Sequence, residues 1–286
     1  MRKWYKYLLV YGGKKDKIAK KHQDFSDYEV AMGGYGTNEY YSDQNNFNTK
    51  YLLGRFKYNH EYLNRHLNQN MKILSIASGR CINELQFIFK KYNITCSDLD
   101  VPKSYVDARK IFGEFDYKKL NILNTSLTEN YNCIIALGLV YAFSEEDYKN
   151  FFNNVNRSLN LDGELILDSS SSENNFITFL FDRVYLKYET FFISKILNFL
   201  GKTNSVVTRH HGYKFKNNEI IKMAQKHGFS LINKESKDNL TEISRSKIAE
   251  KLMNKIPFTK YFFCTIGATM PYLRYFKFKK TKNIIV

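Results

Sequence analysis

The chain has 286 residues, of which 43% are hydrophobic and 16% aromatic, so it can bury a substantial core and bulk disorder is excluded. Its formal net charge of +16 favours a polyanionic partner, either nucleic acid or a membrane surface, unless it reflects a coding bias towards Lys and Asn. Residues 1–22 and 274–286 carry 12 of these charges, which leaves the body of the chain nearly balanced.

Cysteine use and the distribution of apolar residues point to a compartment. The four cysteines form no CxxC pair, which predicts reduced thiols in a reducing compartment and no metal site. The first residues lack the apolar stretch of a signal peptide, and no uncharged apolar run reaches the ~20 residues that a membrane span needs. These features predict a cytoplasmic protein, and the basic ends leave open a peripheral contact with the inner face of a membrane.

The first 70 residues are predicted to form a basic arm and a helix. A short basic helix leads into an extended, poorly periodic arm, and Tyr51 to Leu67 then has the apolar spacing of a helix. From residue 71 short apolar strands alternate with helices, and Ser144, with Asp147 three residues later, has the form of a helix N-cap. Strands are predicted at 72–77, 94–98, 117–122, 132–137 and 164–167, and helices at 82–92, 103–112 and 144–159.

The second half of the chain returns to this pattern after an interruption. Residues 176–200 are amphipathic and predict a helical lid or substrate insertion. A helix at 217–227, stopped by Gly228, and strands at 229–233 and 261–268 follow. The alternation predicts an α/β fold with a mainly parallel, seven-stranded sheet and helices on both faces. The predicted divisions are an N-terminal arm and helix (1–70), a core (71–170), the insertion (171–213), the rest of the core (214–270) and a basic tail (271–286).

Three features meet at the carboxyl ends of predicted strands, the edge at which such sheets bind ligands. The first strand ends in a turn at Gly79, which can adopt a positive φ and let a ligand approach the backbone, and the following helix offers free N–H groups to an anion. Asp98 ends the second strand, where a carboxylate can accept both hydroxyls of a ribose, although Asp100 or a helix-capping role is an alternative. Asn121 and Ile122 follow the third strand, where an amide can meet the polar edge of a base.

The order and spacing of these segments resemble those of class I S-adenosylmethionine-dependent methyltransferases of the small-molecule type. In that family the first strand ends in an acidic residue and a Gly-x-Gly-x-Gly turn. Here Ser75 stands at the acidic position, and the three glycine positions are held by Ala77, Gly79 and Cys81. The resemblance implies a Rossmann-like fold, S-adenosylmethionine as the cofactor and S-adenosylhomocysteine as the product.

The resemblance covers residues 71–169 and, more loosely, 213–268, and it implies roles for particular residues. Asp98 matches the acidic residue that binds the cofactor ribose, and Asn121 with Ile122 matches the pair that receives adenine, with Asn in place of Asp. An arginine on the preceding helix is a candidate for the cofactor carboxylate, with a solvated helix face as the alternative. The implied cofactor contacts are that arginine, Arg55, together with Ser75, Ala77, Ser78, Gly79, Cys81, Asp98, Leu99, Asn121, Ile122 and Leu137.

Methyl transfer from a sulfonium is an in-line displacement in which alignment of the two reactants supplies much of the acceleration. A hydroxyl nucleophile also benefits from a general base. His210 and His211 follow the predicted insertion and are the candidate bases, and Tyr141, beyond the fourth strand, is a candidate for the acceptor pocket. Ordinary packing or a solvated surface is the alternative for each of them.

The resemblance therefore predicts a methyltransferase that acts on a hydroxyl or amine of a small molecule, such as a sugar or a lipid-linked metabolite. An RNA methyltransferase is an alternative, although the Pro-Pro-aromatic motif of base amino-group methylation is missing after the fourth strand. A protein that binds S-adenosylmethionine without catalysis is a second alternative, because Ser75 and Cys81 depart from the family pattern. The lack of a Gly-x-Gly-x-x-Gly motif disfavours a nicotinamide-dependent oxidoreductase.

The basic ends suggest a partner that is compatible with an enzyme. Residues 1–21 and 272–282 mix aromatic side chains with lysines, a composition that suits an anionic membrane surface or single-stranded RNA. A solvated tail is the alternative. The sequence specifies neither the acceptor nor the oligomeric state.

Overall fold

In a computed structural model, the chain is described over residues 2–10, 50–102, 105–125, 127, 129–139, 143–169, 180–201, 206–237, 246–268 and 273–284. The strands in this part are β1 (Arg2–Val10), β2 (Lys72–Ile76), β3 (Asn93–Asp98), β4 (Asp116–Lys119), β5 (Tyr131–Ala136), β6 (Leu159–Ser169), β7 (Val206–Lys214), β8 (Phe229–Lys237) and β9 (Leu273–Lys280). The helices are α1 (Lys50–His66), α2 (Leu85–Phe89), α3 (Tyr105–Phe112), α4 (Glu145–Ser158), a π-helix (Leu180–Tyr185), α5 (Leu186–Phe199), α6 (Asn217–Lys226), α7 (Lys247–Lys255) and α8 (Pro257–Ala268). Within these ranges no helix has both the length and the apolar character needed to cross a bilayer.

Seven of the strands form one sheet in the order β4-β3-β2-β5-β6-β9-β8. The five strands from β4 to β6 pair in parallel, whereas β9 pairs antiparallel with both β6 and β8. The predicted α/β fold with a seven-stranded sheet is confirmed, but the sheet is mixed and not mainly parallel. The chain leaves β8 at the carboxyl edge of the sheet, forms α7 and α8, and re-enters from that same edge, so β9 runs against its neighbours.

Buried side chains fill both faces of the sheet. One cluster includes Leu74 and Phe276 and extends to α4 and α6, and the other includes Ile73 and Tyr275 and extends to α1, α2 and α3. Neighbouring residues of one strand belong to different clusters because side chains alternate across a strand. The strands are therefore apolar on both faces, as expected for a sheet covered by helices on each side.

The start of α4 shows a local prediction that is confirmed. Ser144 is the N-cap, and its Oγ accepts a hydrogen bond from the Asp147 backbone N–H at 3.2 Å. Asp147 Oδ2 in turn accepts from the Ser144 N–H at 2.8 Å. This capping box satisfies two donors and sets the point at which the helix leaves the carboxyl edge of the sheet.

The segment predicted to be a basic tail contains β9 and is part of the core. Tyr275, Phe276 and Phe278 are fully buried between the helices on the two faces. Residues 273–280 combine aromatic and basic side chains, and the aromatic residues favour a strand when neighbouring strands are available on both sides. These three aromatic residues are therefore not available to a membrane surface.

The lysines of β9 are also used within the fold. Lys277 Nζ lies 2.7 Å from Glu164 Oε1 in an ion pair that is largely buried. Lys280 Nζ donates hydrogen bonds to the carbonyl oxygens of Asn156 and Leu159 at 2.6 and 2.7 Å. These carbonyls lie at the C-terminal end of α4, where a cation is favoured. Much of the C-terminal basic charge thus has a structural function.

Two further elements differ from the sequence prediction. Residues 2–10, predicted to be a short basic helix, form β1, which pairs antiparallel with β7 in a separate two-stranded sheet. The aromatic and branched residues of β1 favour a strand once a partner is present. Residues 261–268, predicted to be a strand, lie in α8, which begins at Pro257, a residue favoured at the first helical position. The lid role of residues 171–213 stays a prediction.

Candidate functional site

The turn after β2 has an unusual backbone. Ala77, Gly79 and Cys81 have φ angles of 56°, 51° and 63°, all in the left-handed region. This conformation costs a non-glycine residue about 1–2 kcal/mol. The Cys81 side chain is buried in the core cluster that also contains Cys96. The turn is therefore left-handed at three alternate positions, a conformation that glycine adopts readily, although Ala and Cys hold two of the three positions.

Hydrogen bonds from β3 and β4 fix the position of this turn. Asp98 Oδ2 accepts from the Gly79 N–H at 2.9 Å, and its Oδ1 accepts from the Leu99 N–H at 2.7 Å. Tyr117 Oη donates to the Gly79 carbonyl at 2.8 Å, and the Ser78 N–H donates to the Ser97 carbonyl at 2.9 Å. Burial raises the pKa of Asp98 above its ordinary value. Asp98 thus lies against the turn at the end of β3, and its predicted contact with ribose stays a prediction.

Glu84 is a residue of this region that the sequence interpretation missed. Its carboxylate is fully buried, and Oε1 accepts a hydrogen bond from Ser75 Oγ at 2.6 Å. Burial raises the pKa of Glu84 to about 7. The available signal was a single charged residue in the otherwise uncharged segment 81–89. A carboxylate is therefore present next to Ser75, although it comes from a different position in the chain.

Two buried thiols lie beside this carboxylate. One side-chain ligand atom from each of Cys81, Glu84 and Cys96 lies within 4.8 Å of the other two. Burial raises the pKa of both thiols, so they are protonated at neutral pH. A metal ion would have to displace both protons, because the thiolate is the form that binds metals. In their protonated form, the two thiols are neutral groups buried beneath the turn.

The end of β4 lies next to the end of β3. The Leu120 N–H donates to the Asp98 carbonyl at 2.8 Å, which places Asn121 immediately beyond that contact. Asn121 Oδ1 accepts from the Leu123 N–H at 3.1 Å and so closes a short turn. Ile122 is buried, and its carbonyl accepts from the Asn154 side chain at 2.7 Å. The predicted ribose and adenine residues are therefore neighbours at one edge of the sheet.

A second carboxylate, which the sequence interpretation also missed, organises the end of β5. Asp168 Oδ1 accepts a hydrogen bond from the Gly138 N–H at 2.6 Å, and Gly138 has a φ of 76°. Leu137, a predicted cofactor contact, is buried beside it. Asp168 thus holds the turn after β5 in the same way that Asp98 holds the turn after β2.

The remaining predicted site residues are only partly described. Arg55 lies in α1, and His210 and His211 lie in β7, where their backbones pair with residues 6 and 5 of β1. The side chains of these three residues fall outside the described part of the chain, as does all of Tyr141. Their roles stay predictions.

Comparison with known proteins identifies the fold. No protein-family model and no curated protein sequence matches the chain. Among solved structures, the Burkholderia thailandensis 1,6-didemethyltoxoflavin-N1-methyltransferase, bound to 1,6-didemethyltoxoflavin and S-adenosylhomocysteine, has a TM-score of 0.52 and 12% identity over 83% of this chain and 87% of its own.

Two other solved structures support the same conclusion. Coclaurine N-methyltransferase, bound to N-methylheliamine and S-adenosylhomocysteine, has a TM-score of 0.51 and 13% identity over 82% of this chain and 74% of its own. The magnesium protoporphyrin IX methyltransferase of Synechocystis PCC 6803, bound to S-adenosylhomocysteine, has a TM-score of 0.50 and 12% identity over 81% of this chain and 85% of its own. The chain therefore has the fold of S-adenosylmethionine-dependent methyltransferases.

Proposed function

We propose, from the fold shared with these methyltransferases, that the chain transfers a methyl group from S-adenosylmethionine to a hydroxyl or amine of a small molecule. S-adenosylhomocysteine is then the second product. The observation that carries the proposal is the turn after β2, in which three alternate residues are left-handed and Asp98 is bonded to Gly79. A turn of this kind at the carboxyl edge of a sheet lets a ligand approach the backbone closely.

The residues at this edge can hold each part of the cofactor. Asp98 has further lone pairs for ribose hydroxyls, because each carboxylate oxygen can accept more than the one bond that Gly79 or Leu99 supplies. Asn121 offers its amide to adenine, and Arg55 is the candidate counter-ion for the cofactor carboxylate. When bound, S-adenosylmethionine supplies an electrophilic methyl group on a sulfonium. The protein's contribution to the reaction is then chiefly to align that group with the acceptor.

Isothermal titration calorimetry with S-adenosylmethionine tests this proposal. We expect the wild type to bind, and we expect Asp98→Ala to bind at least about tenfold more weakly, since it removes charge-assisted hydrogen bonds. Asp116→Ala is the matched control, because Asp116 begins β4 at the opposite edge of the sheet. A wild type that does not bind S-adenosylmethionine overturns the proposal, and an unchanged affinity in Asp98→Ala overturns the ribose assignment alone.

The catalytic residues belong to the same proposal. His211 or His210 is the proposed base for a hydroxyl acceptor, and Tyr141 the proposed contact of the acceptor pocket. Once a hydroxyl acceptor is available, replacing the base by Gln should lower kcat by about 10²-fold or more and remove the rise of kcat with pH that accompanies deprotonation of the base. A hydroxyl acceptor whose methylation is unaffected by both His replacements would contradict the role of a base.

The basic residues at the C-terminal end of the chain give less support to an RNA acceptor than the sequence indicated. Lys277 and Lys280 are engaged within the fold, and Lys279 pairs with Asp162 at 3.0 Å. These lysines would have to leave their partners to bind phosphates. A protein that reads phosphates loses affinity steeply as salt rises, so the salt dependence of any RNA binding distinguishes the two acceptor classes.

We propose that α7 and α8 contribute to a membrane contact, and the contact predicted for the basic residues 1–21 stays a prediction. Phe258, Tyr261 and Phe262 share one face of α8 and are 78%, 75% and 60% exposed. An exposed apolar face beside cations suits the interface of an anionic bilayer. Both helices connect β8 to β9 at the carboxyl edge of the sheet, the edge at which the cofactor is proposed to bind. A membrane contact at this face is therefore compatible with a lipid-linked acceptor. Among the side chains of the two helices that the structure describes, Lys251, Lys255 and Lys260 are exposed.

Co-sedimentation with vesicles tests the membrane contact. We expect binding to mixed phosphatidylglycerol and phosphatidylcholine vesicles but not to phosphatidylcholine alone. The double variant Phe258→Ser/Phe262→Ser should bind at least about tenfold more weakly, because it removes most of the inserting area. Phe89→Ser is the control, since Phe89 is exposed on α2. Equal binding by the double variant, or self-association of the wild type that the double variant abolishes, overturns the proposal.

A further inference from the structure

Helix α5 is amphipathic, but its apolar face is turned to solvent. Tyr188, Phe192 and Phe199 are 66%, 60% and 91% exposed, and their spacing places them on one face of the helix. Two polar residues of the same helix, Glu189 and Ser194, are buried. A surface helix of a globular protein normally has the reverse arrangement, with its apolar stripe packed against the core. A face of exposed aromatic side chains is typical of a surface that binds a partner.

Polar contacts attach α5 to α7. Glu189 Oε1 accepts a hydrogen bond from the Ile248 backbone N–H at 3.0 Å, in the first turn of α7, where a negative charge is favoured. Tyr185, the residue before α5, has its Oη 3.2 Å from the Oγ of Ser246, the N-cap of α7. The polar side of α5 is thus held by the fold, and the aromatic side is left facing outwards.

Helix α7 has an exposed apolar stripe of its own. Ile248, Leu252 and Ile256 are spaced four residues apart and are all exposed, so they follow one side of the helix. This stripe begins at the residue whose N–H bonds to Glu189. The contact therefore fixes α5 beside the two helices for which a membrane contact is proposed.

The charges of α5 favour an anionic bilayer over a second copy of the chain. Lys195 is exposed on the same face as Phe192 and Phe199, whereas Glu189, the only carboxylate of the helix, is buried. In a two-fold dimer through this face the same patch of both copies would meet, and Lys195 would be buried without an acidic partner from α5. At a bilayer, the lysine can extend to the lipid phosphates while the aromatic rings enter the interface.

We propose that α5 inserts its aromatic face into an anionic bilayer, so that α5, α7 and α8 form one membrane-binding surface. This inference rests on the membrane contact proposed for α7 and α8 and is independent of methyl transfer. The affinity of an interfacial helix increases with the apolar area that it buries and with its attraction to anionic lipids. Membrane binding should therefore require the aromatic residues of α5 as well as those of α8.

Co-sedimentation with mixed phosphatidylglycerol and phosphatidylcholine vesicles tests the role of α5. The double variant Phe192→Ser/Phe199→Ser should bind at least about tenfold more weakly than the wild type, because it removes two inserting rings. Lys195→Gln should weaken binding about fivefold, since it removes one cation from the anionic surface. Phe89→Ser is the matched control, because Phe89 is 68% exposed on α2, and it should bind as the wild type does.

A tryptophan at position 199 reports insertion directly. Trp4→Phe removes the single native tryptophan, and Phe199→Trp is then added to that variant. Its emission should shift to shorter wavelengths when these vesicles are added, and brominated lipids should quench it. Phe89→Trp in the same Trp4→Phe background is the control and should show neither change.

The outcomes separate this inference from the proposals on which it rests. A wild type that does not sediment with the vesicles overturns the membrane contact of all three helices, whereas binding of S-adenosylmethionine is tested separately by calorimetry. Sedimentation that requires Phe258 and Phe262 but not Phe192 and Phe199, or a tryptophan at position 199 that brominated lipids do not quench, overturns only the role of α5. Self-association of the wild type without vesicles, abolished by Phe192→Ser/Phe199→Ser, also overturns it, because the face would then bind a second copy.

Discussion

Phe278→Ala tests the most consequential feature of the fold, the placement of the C-terminal basic segment inside the sheet. Phe278 is fully buried and lies in β9 between Leu165 of β6 and Leu231 of β8. Its ring is part of the core cluster that includes Phe152, with centroids 6.4 Å apart. Truncating a buried Phe to Ala removes apolar contact and leaves a cavity, at a cost of about 3–5 kcal/mol.

This cost is a large fraction of the about 5–15 kcal/mol by which folded domains are usually stable. Urea unfolding followed by circular dichroism should show that loss, and the Tm should fall by about 10 °C. Phe199→Ala is the matched control, because Phe199 is 91% exposed at the end of α5, and it should change stability by less than about 0.5 kcal/mol. A Phe278→Ala variant as stable as the control would refute the placement of β9.

The other predictions concern particular backbone positions and one buried acid. Gly228→Ala should lower the free energy of unfolding by about 2 kcal/mol or more, because φ is +78° and an added Cβ would lie 2.7 Å from the Lys282 carbonyl oxygen. Gly201→Ala is the control, because φ is +62° but the added Cβ meets nothing within 4 Å. The same urea assay should show a loss of only about 1 kcal/mol for this control. Ser144→Ala should lower the free energy of unfolding by about 1 kcal/mol through loss of the α4 cap, and an unchanged Tm would contradict that role. Burial raises the pKa of Glu84 from 4.5 to about 7, so the folded state binds the extra proton in this window and stability should fall as pH rises through it. Glu84→Gln should remove up to about 3 kcal/mol of this pH-dependent fall in the free energy of unfolding. If the wild type and Glu84→Gln show the same dependence of unfolding free energy on pH, the pKa of Glu84 is not raised.

The elements that the sequence predicted well depend on local pattern. The alternation of short apolar strands with helices indicated β2 to β6, and the Ser144 capping box involves residues only three positions apart. The position of Asp98 at the carboxyl edge could be predicted because a strand end places a side chain there wherever the strand lies in the sheet, and its role toward ribose stays a prediction. None of these inferences required knowledge of a distant partner.

The elements that were missed depend on partners far away in the chain. The lysines of β9 indicated a tail because their partners, Glu164 and the end of α4, are more than 100 residues earlier. Residues 261–268 are rich in residues that favour strands, and Pro257 was the available signal for a helix. Glu84 was missed for a similar reason, since its role follows from a hydrogen bond to Ser75 and not from a spacing in the sequence.

Ala77 and Cys81 stand at glycine positions of the family pattern, and hydrogen bonds around the turn explain how they are accommodated. Left-handed non-glycine residues persist where the surrounding structure over-determines the backbone. Around this turn, Asp98 bonds the Gly79 N–H, Tyr117 bonds the Gly79 carbonyl, and the Cys81 N–H donates to the Ser78 carbonyl at 2.8 Å. These bonds hold the shape that glycine would otherwise permit, so the replacement of glycine at positions 77 and 81 does not itself indicate an inactive protein. If Ala77→Gly and Cys81→Gly leave the affinity for S-adenosylhomocysteine unchanged, the bonds set the geometry of the turn; a large gain in affinity would show that the added side chains obstruct it.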